Sequence, residues 1–325
     1  MNSLKVKALA LFIGVTSLIS CSSDDSSTST SNTFTELTTS NLKFTPRWRH
    51  QSVSFDGKIW VIGGEGSGGY NYEIWNSTDG KDWTNVTPSG AHFSARIDFG
   101  LVVFNNKIWV VGGINQSGTR YNDVWSTSDG VTWTEETNSA AFGPTSIHSL
   151  TVYDNKMWLI GGIVGTTFSN QIWNSTDGVT WNQVTVNGSH FTARYLHSTF
   201  VFNNKLWVVG GYDNVTGTKN DIWSTTDGVT WTEEDNTNAF SERYYQNIVS
   251  VNNKLYAIAG NVAFGSGSNE LWTSTDGTNW TEKTSGNDFY SIRRGQTSVV
   301  HNGEIYIIGG EYNSVHKDDV WKYNY

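Results

Sequence analysis

One pattern, repeated six times at intervals of 49 or 50 residues, constrains this chain more than any other feature. The clearest copy runs from Phe191 to Glu234: FTARYLHSTFVFNNKLWVVGGYDNVTGTKNDIWSTTDGVTWTEE. It holds two apolar runs, a Gly-Gly pair, a Trp before an Asp-Gly turn and a second Trp after it. The pair falls at Gly63-Gly64, Gly112-Gly113, Gly161-Gly162, Gly210-Gly211, Ala259-Gly260 and Gly309-Gly310. A period near 50 marks a propeller or an array of stacked units. Within a unit, four short strands can be read. His197–Phe202 alternates and ends at Asn203-Asn204, a good hairpin turn, and Leu206–Val209 is a continuous apolar run suited to burial on both faces. Asp221–Ser224 is the third strand, Asp227-Gly228 the next tight turn, and Thr230–Glu233 the fourth strand. No segment of the repeats has a helical period. Four antiparallel strands in each of six units predict an all-β, six-bladed β-propeller.

The tryptophans follow the same columns, and 15 of the 16 fall within them. Trp60, Trp109, Trp158 and Trp207 precede the glycine pair, with Tyr256 and Tyr306 in the last two units. Trp75, Trp125, Trp173, Trp223, Trp272 and Trp321 lie in the third strand, and Trp83, Trp133, Trp181, Trp231 and Trp280 follow the Asp-Gly turn. Side chains of this size suit the wedge between adjacent blades. Only Trp48 stands outside. Strand, glycine pair, then Trp or Tyr at set distances resembles the Kelch family over Thr33–Tyr325. The Ser-Thr-Asp-Gly-x-x-Trp stretches, such as Ser175–Trp181, are similar to the Asp-box hairpins of sialidases, shortened by one residue.

The sixth unit stops at Tyr325 without a fourth strand. Phe34-Thr-Glu-Leu-Thr38 matches the fourth-strand pattern Trp133-Thr-Glu-Glu-Thr137, and Phe34 precedes Phe44 by the same ten residues that separate Trp83 from Phe93. Thr33–Thr38 is therefore expected to pair with Asp319–Tyr323 and close the ring, leaving no open edge between first and last blade.

Residues 1–20 read as a targeting leader. Lys5 and Lys7 precede the apolar run Ala8–Ile19, too short to span a membrane. Leu18-Ile19-Ser20-Cys21 resembles a bacterial lipobox, which implies a lipid on Cys21 and an outer-membrane lipoprotein. Residues 21–32 form a polar tether, in which Asp24-Asp25 resembles the export signal of surface lipoproteins in the Bacteroidetes. Residues 33–325 are then one propeller domain. Cys21 is the single cysteine, so neither a disulfide nor a Cys-based metal site is available. Galactose oxidase, a Kelch-type copper enzyme, needs a Cys–Tyr crosslink that this chain cannot form, and no metal or cofactor is expected. The formal charge of −9 becomes −11 once Lys5 and Lys7 are removed. An acidic chain without basic runs argues against nucleic acid, and the membrane is met only through the anchor.

In Kelch propellers the loops before the innermost strand and after the glycine pair share one face, where the family's sites usually lie. The first loop column is Arg47, Arg96, Thr145, Arg194, Arg243 and Arg293. It reads either as an anion site at the channel mouth or as a brace in each loop. Three residues on stand His50, Phe99, His148, His197, Gln246 and Gln296, metal ligands by type or structural histidines. Between them the copies diverge: Trp48-Arg49, Ile97-Asp98, Ser146-Ile147, Tyr195-Leu196, Tyr244-Tyr245 and Arg294-Gly295. Trp48, Tyr195, Tyr244 and the arginines suit a sugar ring or an extended peptide. After the glycine pair come Glu65, Ile114, Ile163, Tyr212, Asn261 and Glu311; Glu65 and Glu311, with His50 nearby, are the candidate acid–base groups. The Asp column of the turns needs only turn chemistry. These residues favour a surface-anchored, non-catalytic propeller that binds a glycan or protein partner. The alternatives are an enzyme acting on acidic sugars, like the sialic acid mutarotases among six-bladed Kelch proteins, and a structural scaffold in an outer-membrane complex.

Overall fold

The computed structural model describes residues 33–38, 43–262, 267–283 and 290–325, all within one compact unit, Asn32–Tyr325. The leader, Cys21 and the tether lie outside the described residues. Within them there is no helix; the chain is built of antiparallel strands.

Six sets of four antiparallel strands form the blades, two of them extended by short loop strands into larger sheets. In blade four, Ser198–Phe202, Lys205–Asp213, Gly217–Thr225 and Thr232–Glu234 lie side by side in chain order. Blade one runs Gln51–Phe55, Lys58–Ile62, Ile74–Ser77 and Thr84–Val86 in the same order. The inner hairpins turn on Asp56-Gly57, Asn105-Asn106, Asp154-Asn155, Asn203-Asn204, Asn252-Asn253 and Asn302-Gly303. Both residues have positive φ in every blade, as a two-residue type I′ hairpin requires.

The sixth blade closes as expected. Thr33–Glu36 pairs with Val315–Asn324 in the register Thr33↔Asn324, Phe34↔Tyr323, Thr35↔Lys322 and Glu36↔Trp321. The Leu37 amide then donates to Val320 O at 2.8 Å. The aromatic spacing has a direct counterpart in the packing. Each outer-strand Trp meets the ring that precedes its own blade's inner strand edge-on: Trp83 with Phe44, Trp133 with Phe93, Trp181 with Phe142, Trp231 with Phe191 and Trp280 with Phe240, at 4.8–5.2 Å. Phe34 meets Tyr290 in the same way at 4.9 Å, so it occupies the Trp position of blade six.

The second-strand tryptophans fill the wedges between blades. Trp60, Trp109, Trp158 and Trp207 are almost fully buried, and each indole N–H donates to a carbonyl five residues back. What lies over each ring is the Asp-Gly turn of the next blade, folded by its own Ser or Thr and Asp side chains, as in Ser175, Asp177 and Gly178. Gly178 has φ +78°, and a Cβ there would lie 2.0 Å from Trp109 Cζ3. Gly178→Ala is therefore expected to cost about 2–5 kcal/mol, combining left-handed strain with overpacking. Gly57→Ala, at φ +66° with open space around it, pays only the strain, about 1–2 kcal/mol. Urea unfolding of the two variants checks the difference; equal losses would mean that the turn–indole contact adds nothing.

Candidate binding face and central channel

The two divergent loop columns meet in all six blades. The residue two before each inner-strand His, Phe or Gln bridges antiparallel to the residue after the glycine pair: Trp48↔Glu65, Ile97↔Ile114, Ser146↔Ile163, Tyr195↔Tyr212, Tyr244↔Asn261 and Arg294↔Glu311. They form one ring of paired positions at the loop end of the blades. Inside it the next residues, Arg49, Asp98, Ile147, Leu196, Tyr245 and Gly295, all take positive φ between 55° and 62°. They form a collar tied in pairs by backbone bonds from Arg49 N to Gly295 O, Ile147 N to Asp98 O and Tyr245 N to Leu196 O, at 2.8–3.1 Å.

The arginine column does not face this ring. Arg47, Arg96, Arg194, Arg243 and Arg293 are fully buried, and each is spent on its own blade. Arg194 pairs with Asp221 through two bonds of 2.6 and 2.7 Å, and donates to Gly210 O, Thr192 O and Thr192 Oγ1. Arg96–Asp123 and Arg293–Asp319 repeat this geometry, while Arg47 pairs with Glu73 and Arg243 with Glu270. Every guanidinium also lies over the preceding aromatic ring at 5.0–5.8 Å. These five arginines are braces, and an anion at the mouth would not reach them. Blade three proves the pairing: Thr145 replaces the arginine, and Gln171 replaces the carboxylate. That acidic column, two residues before the third-strand Trp, is the sequence signal that reveals the brace.

The candidate acid–base groups are each tied to a neighbour. Glu311 is buried; it accepts from Arg294 Nε at 2.6 Å and from the Ser314 backbone N–H. Glu65 accepts the Trp48 indole N–H at 3.0 Å. His50 sits below the collar, its Nε2 3.0 Å from Thr297 Oγ1, and burial, with the nearby Arg47 charge, pushes its pKa down to about 3. His148 and His197 are likewise pushed down to about 3 by burial, so the histidine layer is neutral at physiological pH. Among the described residues no three His, Cys, Asp or Glu side chains are grouped to hold a metal.

Below the collar runs the central channel, a cavity of about 220 Å³. Its layers are the collar itself, the His/Phe/Gln ring, and then Gln51, Gly100, Ser149, Ser198, Asn247 and Thr297. Arg49 crosses the mouth to form an ion pair with Asp98, with Nε 2.8 Å from Oδ1.

On the face itself the structure adds Phe168 and His316, which no spacing linked, to the rings of the divergent columns. Phe168, Tyr195, Tyr212, Tyr244, Tyr245, Trp48 and His316 follow one another with centroids 4.7–6.5 Å apart. All are half-buried. No hydrogen bond joins the hydroxyls of Tyr195, Tyr212, Tyr244 or Tyr245 to another described residue. Burial pushes the Tyr195 and Tyr245 phenols up, which keeps them protonated donors. Arg49 and Arg294 each lie 5.3 Å from the Trp48 ring. Trp48 and Arg294 thus belong to one packed cluster, and Tyr195 and Tyr244 to a more open arc beside it.

Six blades of four strands, a strand contributed by the N-terminal end to close the last, and a buried Arg–carboxylate brace define a repeat-built propeller with a loop-face site. The chain matches the family model described as KLHDC2/KLHL20/DRC7 Kelch-repeats domain over residues 25–162 and 147–325, and it belongs to the Kelch-repeat family. Kelch domains generally mediate protein binding. Among curated proteins none matches the chain.

Proposed function

We propose that this chain is a non-catalytic binding propeller, held at a bacterial outer membrane by a lipid on Cys21, whose loop face takes a protein partner. The aromatic arc carries the reading. Four tyrosine hydroxyls unspent within the described residues, on half-buried rings, give an amphipathic surface of the kind that anchors protein interfaces. The family's general role in protein binding supports it. The acids that an enzyme would use are instead tied to Trp48, Arg294 and Ser314.

A photo-crosslinking residue placed at Tyr212 of the full chain in cells is expected to trap one protein species. At Val179, exposed on a hairpin tip at the other end of the blades, it should trap none. Tyr195→Ala with Tyr244→Ala should reduce the Tyr212 adduct at least tenfold. Absence of a protein adduct, with neutral sugars retained on an array in a Tyr195-dependent way, would replace the protein partner with a glycan, which the same rings and hydroxyls suit. Failure of both would leave a scaffold. Turnover of an acidic sugar, lost in Glu65→Gln and Glu311→Gln, would replace the binding reading with an enzyme.

A further inference from the structure

The walls of the central channel carry hydrogen-bonding capacity that the described residues do not use. Both ring nitrogens of His148 are buried without a protein partner, as are Gln246 Oε1, Gln296 Oε1, Asn247 Oδ1 and Ser298 Oγ. The amide nitrogens of Gln246 and Gln296 each spend one N–H on Val209 O and Ile258 O, and the Oε1 acceptors are left over. His148 lacks a partner for a local reason. His197 and His50 bond a hydroxyl of the preceding blade, Ser149 and Thr297, but the matching position beside His148 is Gly100, where even a Cβ would lie 2.8 Å from the imidazole. Buried polar groups left without partners are costly, and here the residues that carry them line a single cavity of about 220 Å³.

From this arrangement we propose that the channel is a binding site for a small uncharged polyol, beneath the loop face and sharing Arg49 and Tyr245 with it. The wall excludes the other ligand classes. Its only charged side chains, Arg49 and Asp98, neutralise one another at the mouth. A cation would find no free carboxylate there, and an anion no free cation. An apolar molecule would bury the unpaired atoms without satisfying them. A hydroxyl group both donates and accepts, so it complements an amide oxygen, either imidazole nitrogen and a serine hydroxyl alike. At about 30 Å³ for each water, the cavity has room for about seven. A polyol would replace several of these with one molecule.

The test is calorimetric titration of the full chain with glycerol, erythritol, xylitol and glucose. At least one is expected to bind with a Kd at or below the millimolar range. His148→Phe copies Phe99 of blade two, and Ser298→Leu copies Leu101 and Leu150; each should weaken binding at least tenfold while the folded circular dichroism spectrum is retained. Tyr195→Ala on the loop face should leave it unchanged, which separates this site from the proposed partner surface. The proposal is overturned if none of the four polyols binds, if both channel variants bind as the parent does, or if Tyr195→Ala abolishes binding while they do not. A high-resolution structure with the tightest ligand should show it below the collar; ordered water alone at that position would also overturn it.

Discussion

Arg194→Ala is expected to destabilise the chain by about 3–5 kcal/mol, the usual cost of removing one partner from a buried ion pair. The guanidinium holds two bonds to Asp221 and one to Gly210 O, at the point where the second strand leaves the glycine pair. Without it, Asp221 keeps only the Trp223 indole N–H at 2.9 Å among its hydrogen bonds and Lys219 as a nearby charge. Blade three supplies the control. Arg194→Thr with Asp221→Gln copies Thr145 and Gln171, removes both charges together, and should recover at least half of the loss. Chemical denaturation of the single and double variants gives the coupling energy. If the double variant is as unstable as the sum of its parts, the two residues are not a unit and the brace is misread.

The second large effect is acid sensitivity. His50, His148 and His197 are neutral in the folded chain, with pKa values near 3 against about 6.5 when unfolded. Between those values the unfolded chain binds more protons, so stability rises with pH and is lost as pH falls. Each histidine contributes a slope of about 1.4 kcal/mol per pH unit, roughly 4 for the three together. The charges near the ring act in the same direction on balance: Arg47 and Arg194 hold the pKa values down, and only Asp221 opposes them, at His197. Thermal unfolding between pH 6.5 and 4.5 should show a steep fall in Tm. Replacing all three with Gln, the residue already present as Gln246 and Gln296 in this layer, should remove most of it. An unchanged slope in the triple variant would place acid sensitivity elsewhere.

Much of the architecture was legible because the repeat states each local rule several times. The Asn-Asn turns, the Asp-Gly turns and the Trp columns are short-range chemistry, and they occupy the structural roles that their residue types imply. Even the closing strand could be found, since Phe34 keeps the spacing of the outer-strand tryptophans and meets Tyr290 as they meet their own partners. The arginines were harder to place. Their position near the loop end is plain from sequence, but the direction of a long side chain depends on where its counter-charge lies. Glu73, Asp123, Asp221, Glu270 and Asp319 turn them inward, and the matched change at Thr145 and Gln171 was the available clue. The aromatic arc was legible only in part: Trp48, Tyr195, Tyr244, Tyr245 and Tyr212 stand in the divergent columns, but nothing marked Phe168 or His316. Those two come from different blades, and only the ring geometry brings them to Tyr195 and Trp48.

The contact between Thr33 and Asn324 also sets an order of events. The first strand of the propeller to be synthesised pairs with the propeller strand that is synthesised last. Blades one to five can each assemble from neighbouring sequence, whereas blade six must wait for the whole propeller. The entropic term for closing so long a loop exceeds that of a ten-residue loop by only about 3 kcal/mol, so lateness has little thermodynamic consequence. Its consequence is kinetic: until Thr33–Glu36 docks, the edge of Val315–Asn324 stays open to any strand that reaches it, including the same segment of a second chain. Dilution during refolding would favour closure within one molecule, and crowding would favour exchange between two.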